Sequence, residues 1–129
     1  MKLTARTLSH IAATLALVVL GSYATLSAAQ TKVADGVLVG PNGMTLYTFD
    51  KDVADSGKSM CNGPCATNWP PLTAGASDMA SGEHSIITRD DGRKQWAAKG
   101  KPLYFWAKDS KPGDKTGDGF NKVWQTAKP

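Results

Sequence analysis

The chain writes one phrase twice. Residues 46–52 read Leu-Tyr-Thr-Phe-Asp-Lys-Asp, and residues 103–109 read Leu-Tyr-Phe-Trp-Ala-Lys-Asp. Around the phrase, Gly43 to Asp52 aligns with Gly100 to Asp109 without a gap, at an offset of 57, and Asp35-Gly36 is echoed by Asp91-Gly92 at an offset of 56. A tryptophan follows each copy: Trp69 lies 17 residues after Asp52, and Trp124 lies 15 after Asp109. Order kept over this span indicates two diverged copies of one supersecondary unit, at about residues 35–72 and 85–127.

Each copy carries hairpin signals. Val37 to Val39 is apolar and β-branched, Gly40-Pro41-Asn42-Gly43 is dense turn chemistry, and Met44 to Phe49 returns as a second strand. In the second copy Lys94 to Ala98 leads out, Lys99-Gly100 turns, and Pro102 to Ala107 comes back, with Pro102 at a strand start or an edge. Ser85 to Thr88 and Lys122 to Thr126 are further short strands. Helical periodicity is confined to about one turn near residues 65–69, stopped by Pro70-Pro71. The expected fold is all-β: one small domain of two hairpin repeats in an antiparallel sheet or sandwich. Asp50 to Met60 and Asp109 to Asn121 form its long polar loops.

Strand alternation sorts the repeated phrase onto two faces. Tyr47 and Phe49 point one way, and Tyr104 and Trp106 do the same in the second copy. Leu46 and Thr48, and Leu103 and Phe105, point the other. The second strand is apolar on both sides and is expected to be the more central. The aromatics, with Trp69, Trp96 and Trp124, can supply most of the core of a chain this size; the competing reading is an aromatic platform for a ligand. Asp52 and Asp109 fall where each strand ends, positions at which a carboxylate accepts backbone N–H bonds and locks a turn.

The N-terminus reads as a secretory signal. Lys2 and Arg6 precede a run from Ile11 to Leu20 that is apolar except for Thr14, and Ser27-Ala28-Ala29 offers a cut before Gln30. The run is shorter than the ~20 residues that span a bilayer, so no transmembrane segment is expected after cleavage. The remaining 100 residues carry 13 basic and 11 acidic side chains, a mild balance that argues against a nucleic-acid partner. Export places Cys61 and Cys65, in Cys-Asn-Gly-Pro-Cys, in an oxidising compartment, where a disulfide is the first reading. Closing so short a loop contributes only about 2 kcal/mol, so it shapes a loop more than it supports a fold.

No catalytic constellation is visible, and an enzyme is not expected. His84 is the single histidine of residues 30–129, beside Glu83 in Ser-Gly-Glu-His-Ser, and is expected to be a solvated loop residue. Met60 beside Cys61 and Cys65 forms a soft-ligand set suited to copper, which His84 can complete. Reversible thiol or copper chemistry is therefore the alternative to a plain disulfide. Asp50, Asp52 and Asp55 cluster, and Asp109, Asp114 and Asp118 recur in a flexible loop of the kind calcium selects, although the closing glutamate of an EF-hand is missing. No cofactor is expected, with copper or calcium as the alternatives.

The motif Tyr-x-[Phe/Trp/Tyr]-x-x-Asp, carried by Tyr47, Phe49 and Asp52 and again by Tyr104, Trp106 and Asp109, resembles the signature of a bacterial family of predicted lipoproteins, also called a secreted repeat of unknown function. Residues 61–72, 91–104, 112–119 and 123–129 extend the likeness over nearly all of Val37 to Pro129. The resemblance implies an exported cell-envelope protein with two tandem repeats and supplies no catalytic residues. Lipid anchoring requires a cysteine at the cut, and Ala29 stands there. The expectation is a periplasmic or secreted, non-enzymatic binding domain for an unknown envelope ligand or protein, free of a lipid anchor.

Overall fold

Asp35 and Gly36, with φ of 52° and 78°, reverse the chain between β1 (Lys32–Ala34) and β2 (Val37–Val39). Two consecutive residues with positive φ make the turn whose twist matches that of paired strands. Lys99 and Gly100 (51° and 82°) do the same between β5 (Lys94–Ala98) and β6 (Lys101–Pro102). The computed structural model describes residues 31–129; the signal segment expected over residues 1–29 lies outside the described residues. The remaining elements are β3 (Tyr47–Phe49), α1 (Pro64–Asn68), β4 (His84–Thr88), a 3₁₀ turn (Phe120–Lys122) and β7 (Trp124–Thr126). Three small antiparallel sheets result, ordered β1-β2, β3-β7 and β4-β5-β6. The all-β fold with one short α-helix is as expected.

The two copies do not fold side by side. Tyr47 and Tyr104 exchange both backbone hydrogen bonds, at 2.8 and 3.0 Å, so the duplicated phrases face each other directly. The tail of the second copy, Trp124 to Ala127, then pairs with the first copy's phrase: Phe49 opposes Trp124, and the Ala127 N–H donates to Leu46 O. The tail of the first copy, residues 68–72, pairs reciprocally with the second copy's phrase. There the N–H groups of Phe105 and Ala107 donate to Pro70 O and Asn68 O, and that of Leu72 to Leu103 O. Each copy is completed by a segment of the other.

This exchange explains where the expected strands fall short. The segment from Met44 to Phe49 changes partner along its length: Thr45 opposes Val39, the Leu46 N–H donates to Leu38 O, and only Tyr47 to Phe49 run with β7. The segment from Pro102 to Ala107 is divided in the same way among Trp96, Tyr47 and the 68–70 tail. Within the expected Lys122–Thr126 strand, Lys122 closes the 3₁₀ turn instead. β1 was not anticipated, because its three residues are exposed and carry no apolar pattern. Tyr104 bridges Tyr47 on one side and Pro71 on the other, and Tyr47 likewise lies between Tyr104 and Thr126, so the two phrases are equally central and the second is not the more central of the two.

Alternation along the phrases builds two hydrophobic clusters. One holds Tyr47, Phe49, Tyr104, Trp106, Trp69, Trp124 and Cys61; the other holds Leu46, Leu103, Leu38, Leu72, Trp96 and Ala127. The aromatic face is therefore interior, and the ligand-platform reading of it does not hold. α1 delivers Trp69 into that interior. Pro64 opens it and Gly63 precedes it with φ of 59°. It ends at Trp69, whose backbone (φ −122°, ψ 77°) has left the α region, which the following Pro70 disfavours.

Candidate functional site

The repeated tyrosines and aspartates meet, but across the copies. Tyr47 Oη donates to Asp109 Oδ2 at 2.7 Å, and Tyr104 Oη donates to Asp52 Oδ2 at 2.6 Å. Each carboxylate uses its other oxygen to hold the loop that follows it. Asp52 Oδ1 accepts the Met60 N–H, and Asp109 Oδ1 accepts the N–H and hydroxyl of Thr116. The aspartates do act as loop locks, and they are also the partners of the opposite copy's phenols. Burial pushes both phenols well above the ordinary tyrosine value, and the adjacent carboxylates push the same way. Burial likewise raises the Asp52 carboxyl, against the hydrogen bond from Tyr104.

The Tyr104–Asp52 pair continues into a buried polar network that has no counterpart in the other copy. Ser59 Oγ lies 2.6 Å from Tyr104 Oη. The Arg89 guanidinium donates to Ser59 Oγ (3.0 Å), Gln95 Oε1 (2.7 Å) and Cys61 O (2.5 Å). Its Nε makes no hydrogen bond among the described residues and stands 3.6 Å from the exposed Asp91 carboxylate. Lys101 Nζ donates to the carbonyls of Phe49 and Asp52. The bonds to Ser59 Oγ, Cys61 O and Asp52 O end on residues 52–61, so the loop leading into the disulfide is fastened from beneath. Cys61 and Cys65 are disulfide-bonded. Above the network Val53 and Met60 are 67% and 61% exposed.

The sequence motif pointed to Tyr47, Tyr104, Asp52 and Asp109, and the structure brings all four together as two pairs. Arg89, Ser59 and Gln95 were missed. Arg89 is followed by Asp90-Asp91-Gly92 and reads as part of a solvated turn, and no local signal marks it as buried. His84 is a correction of another kind: it begins β4, half-buried, with Nε2 2.7 Å from Thr31 Oγ1 rather than in a solvated loop.

The proposed cation loop is not assembled. Asp109 is taken by Tyr47 and Thr116, Asp114 by Ser110 and Lys111, and Asp118 Oδ1 by the Thr126 N–H. Lys111 and Ser110 hold the Asp114 carboxyl below the usual carboxylate range. Asp50 accepts from Gln125, while Asp55 sits at the β5–β6 turn through its N–H to Gly100 O. Among the described residues no three His, Cys, Asp or Glu side chains converge as a metal-holding group; of the set Met60, Cys61, Cys65 and His84, the two cysteines are joined to each other and His84 lies against Thr31.

A family model described as a secreted repeat of unknown function matches residues 30–73 and 85–128. The chain belongs to this family. No curated protein matches it, and no solved structure does. The two matched stretches of the secreted repeat contain the two copies whose tails are exchanged, so the repeat unit of the family is one half of an interlocked pair here. Among the described residues no helix is long and apolar enough to cross a membrane.

Two predictions test the crossed pairs. Tyr104→Phe removes a hydrogen bond to a buried carboxylate and is expected to cost about 1.5–3 kcal/mol in urea unfolding. In double-mutant cycles Tyr104→Phe couples to Asp52→Asn and not to Asp109→Asn, the aspartate of its own copy. The second prediction concerns alkali. Both phenols titrate higher folded than unfolded, so their stabilisation is complete below about pH 10 and is lost as pH rises toward the folded values. Phenolate absorbance of Tyr47 and Tyr104 is therefore expected to appear together with loss of the fold, in one cooperative step. Asp52 has the same sign at the acid end: what it contributes is full below the usual carboxylate range and declines as pH rises through its raised value.

Proposed function

We propose that this secreted repeat is a non-enzymatic periplasmic domain that presents its disulfide loop to an envelope protein. The supporting observation is the buried Arg89, whose guanidinium is spent on Ser59 and on the Cys61 carbonyl of that loop. A charged group in the interior is costly unless its bonds are met. Here that cost goes to immobilising one surface loop, which carries two exposed apolar side chains, Val53 and Met60. A recognition element gains affinity when it is rigid before it binds. The domain is free of a lipid anchor in this reading; incorporation of radiolabelled palmitate would overturn that part.

Site-specific photo-crosslinking in the native bacterium tests the surface. A photoreactive residue at position 53 is expected to give a discrete protein adduct that Met60→Glu abolishes while the melting temperature stays unchanged. The same residue at Val33, also exposed at 60%, is the control. Adducts of equal yield at positions 33 and 53, or none at 53, overturn the proposal.

The closeness of Cys61 and Cys65, with Met60 adjacent in sequence, supports a second reading, in which the pair cycles between disulfide and dithiol and the reduced thiols hold copper with Met60. Thiol titration and elemental analysis of natively purified protein decide between them. A permanently oxidised pair without metal removes the second reading.

A further inference from the structure

The aromatic cluster is ordered in a way that packing alone does not require. Phe49, Trp124, Trp69 and Trp106 form one continuous column, with successive ring centroids 4.2, 3.8 and 4.0 Å apart and interplanar angles of 11°, 3° and 27°. Aromatic pairs ordinarily favour offset or edge-on arrangements with centroids ~4.5–7 Å apart, because facing quadrupoles repel. This column instead maximises π overlap among three tryptophans. Tyr104 meets Trp124 edge-on at 5.1 Å and Tyr47 meets Trp69 edge-on at 5.3 Å. Each of these phenols is hydrogen-bonded to a carboxylate. The backbone seals the column: a Cβ on Gly117 would stand 2.7 Å from Trp69 and 3.0 Å from Trp106.

We infer that the column is a one-electron relay, through which the protein gives an electron to a one-electron oxidant and keeps the hole as a neutral tyrosyl radical. The oxidant is either a metal complex in its higher valence or an organic peroxyl radical. It draws the electron at the Trp106 end, where Phe120 is 39% exposed and 4.9 Å from the Trp106 ring. The hole passes through Trp69 to Trp124. Tyr104 then loses one electron to the oxidised Trp124, and its phenolic proton moves to Asp52 Oδ2. The oxidant is reduced by one electron, and Tyr104-OH with Asp52 carboxylate becomes the tyrosyl radical with Asp52 carboxylic acid. A one-electron donor, a thiolate or a reduced metal complex, returns the electron, and Asp52 returns the proton. Tyr47 and Asp109 offer the same step from Trp69.

Charge placement favours inward transfer. Lys108 Nζ lies 5.9 Å from the Trp106 ring centroid and disfavours a positive hole there, whereas each phenol can pass its proton to a bonded carboxylate and end as a neutral radical, a state that the Arg89 guanidinium beyond Ser59 does not oppose. Burial also makes Asp52 a readier proton acceptor than an ordinary aspartate.

The test uses the full chain. Photogenerated tris(bipyridine)ruthenium(III) serves as oxidant in one arm, and peroxyl radicals from a water-soluble azo initiator in the other. Transient absorption and freeze-quench electron paramagnetic resonance follow the radicals. The expected product in at least one arm, which identifies the oxidant class, is a neutral tyrosyl radical. Its formation slows several-fold in heavy water, a readout that needs no variant. Trp69→Phe keeps a ring in the column but interrupts the tryptophans, and is expected to lower the tyrosyl yield several-fold. Trp96→Phe, in the other cluster, leaves it unchanged. Asp52→Asn combined with Tyr47→Phe leaves a tryptophan radical in place of the tyrosyl one, with folding checked by circular dichroism. A tyrosyl yield that is the same in Trp69→Phe and wild type, no isotope effect, or no tyrosyl radical in either arm overturns the inference.

Discussion

Trp69→Ala is expected to lower the unfolding free energy by about 3–5 kcal/mol, the range for deleting a buried large aromatic. Trp69 is 3% exposed, faces Trp124 at 3.8 Å and Trp106 at 4.0 Å, and meets the edge of Tyr47. It belongs to the first copy, yet both of its stacking partners belong to the second. The backbone of residues 68–72 is fastened to the second copy's phrase, so the space left cannot close without breaking that pairing. Domains have net stabilities of about 5–15 kcal/mol, and a loss of this size leaves a substantial unfolded population near physiological temperature. Urea unfolding measures it, and near-ultraviolet circular dichroism is expected to lose the signal of the coupled tryptophans. A loss below about 1 kcal/mol would mean that the column is not what joins the copies.

Arg89→Ala is expected to cost a similar amount, about 3–5 kcal/mol, by a different mechanism. A hydrogen bond from a charged group contributes about 1.5–3 kcal/mol, and an abandoned buried acceptor costs its full desolvation. Here Ser59 Oγ, Gln95 Oε1 and Cys61 O all lose a donor in the interior. Arg89→Met keeps the apolar stem and is expected to recover only the packing part of the loss, so the difference between the two variants isolates the polar part. Because the bonds end on Ser59 and Cys61, the 53–62 loop loosens first. Hydrogen exchange at the Met60 and Cys61 amides, which bond to Asp52 and Ser59, should rise more than exchange in β4 and β5. Uniform loss of protection would mean that Arg89 supports the whole core rather than the loop.

The duplicated phrase predicted well what depends on alternation and little that depends on partnership. Tyr47, Phe49, Tyr104 and Trp106 fall in one cluster and Leu46 and Leu103 in the other, because side-chain direction in an extended segment follows from backbone geometry. Lys99-Gly100 turns where expected, and α1 stops at Pro70 for reasons contained in single residues. The Cys61–Cys65 pairing was readable from compartment and spacing. Arg89 was not, because its burial depends on Ser59, Gln95 and Cys61 approaching from three separate segments. The placement of His84 at the start of β4, against Thr31, was not legible either, because Thr31 lies 53 residues away in sequence.

The sequence by itself determined that there are two copies, which face of each strand is aromatic, where the turns lie, and to which family the chain belongs. These are properties of local geometry and short-range order. The tertiary structure alone decided that each tyrosine bonds the other copy's aspartate and that each tail completes the other copy's strand. It also decided that three tryptophans drawn from both copies stack face to face. The physical reason is that two similar units offer nearly equivalent local bonds to themselves and to each other. Only the joint burial of both aromatic faces, summed over the whole domain, selects the exchanged arrangement.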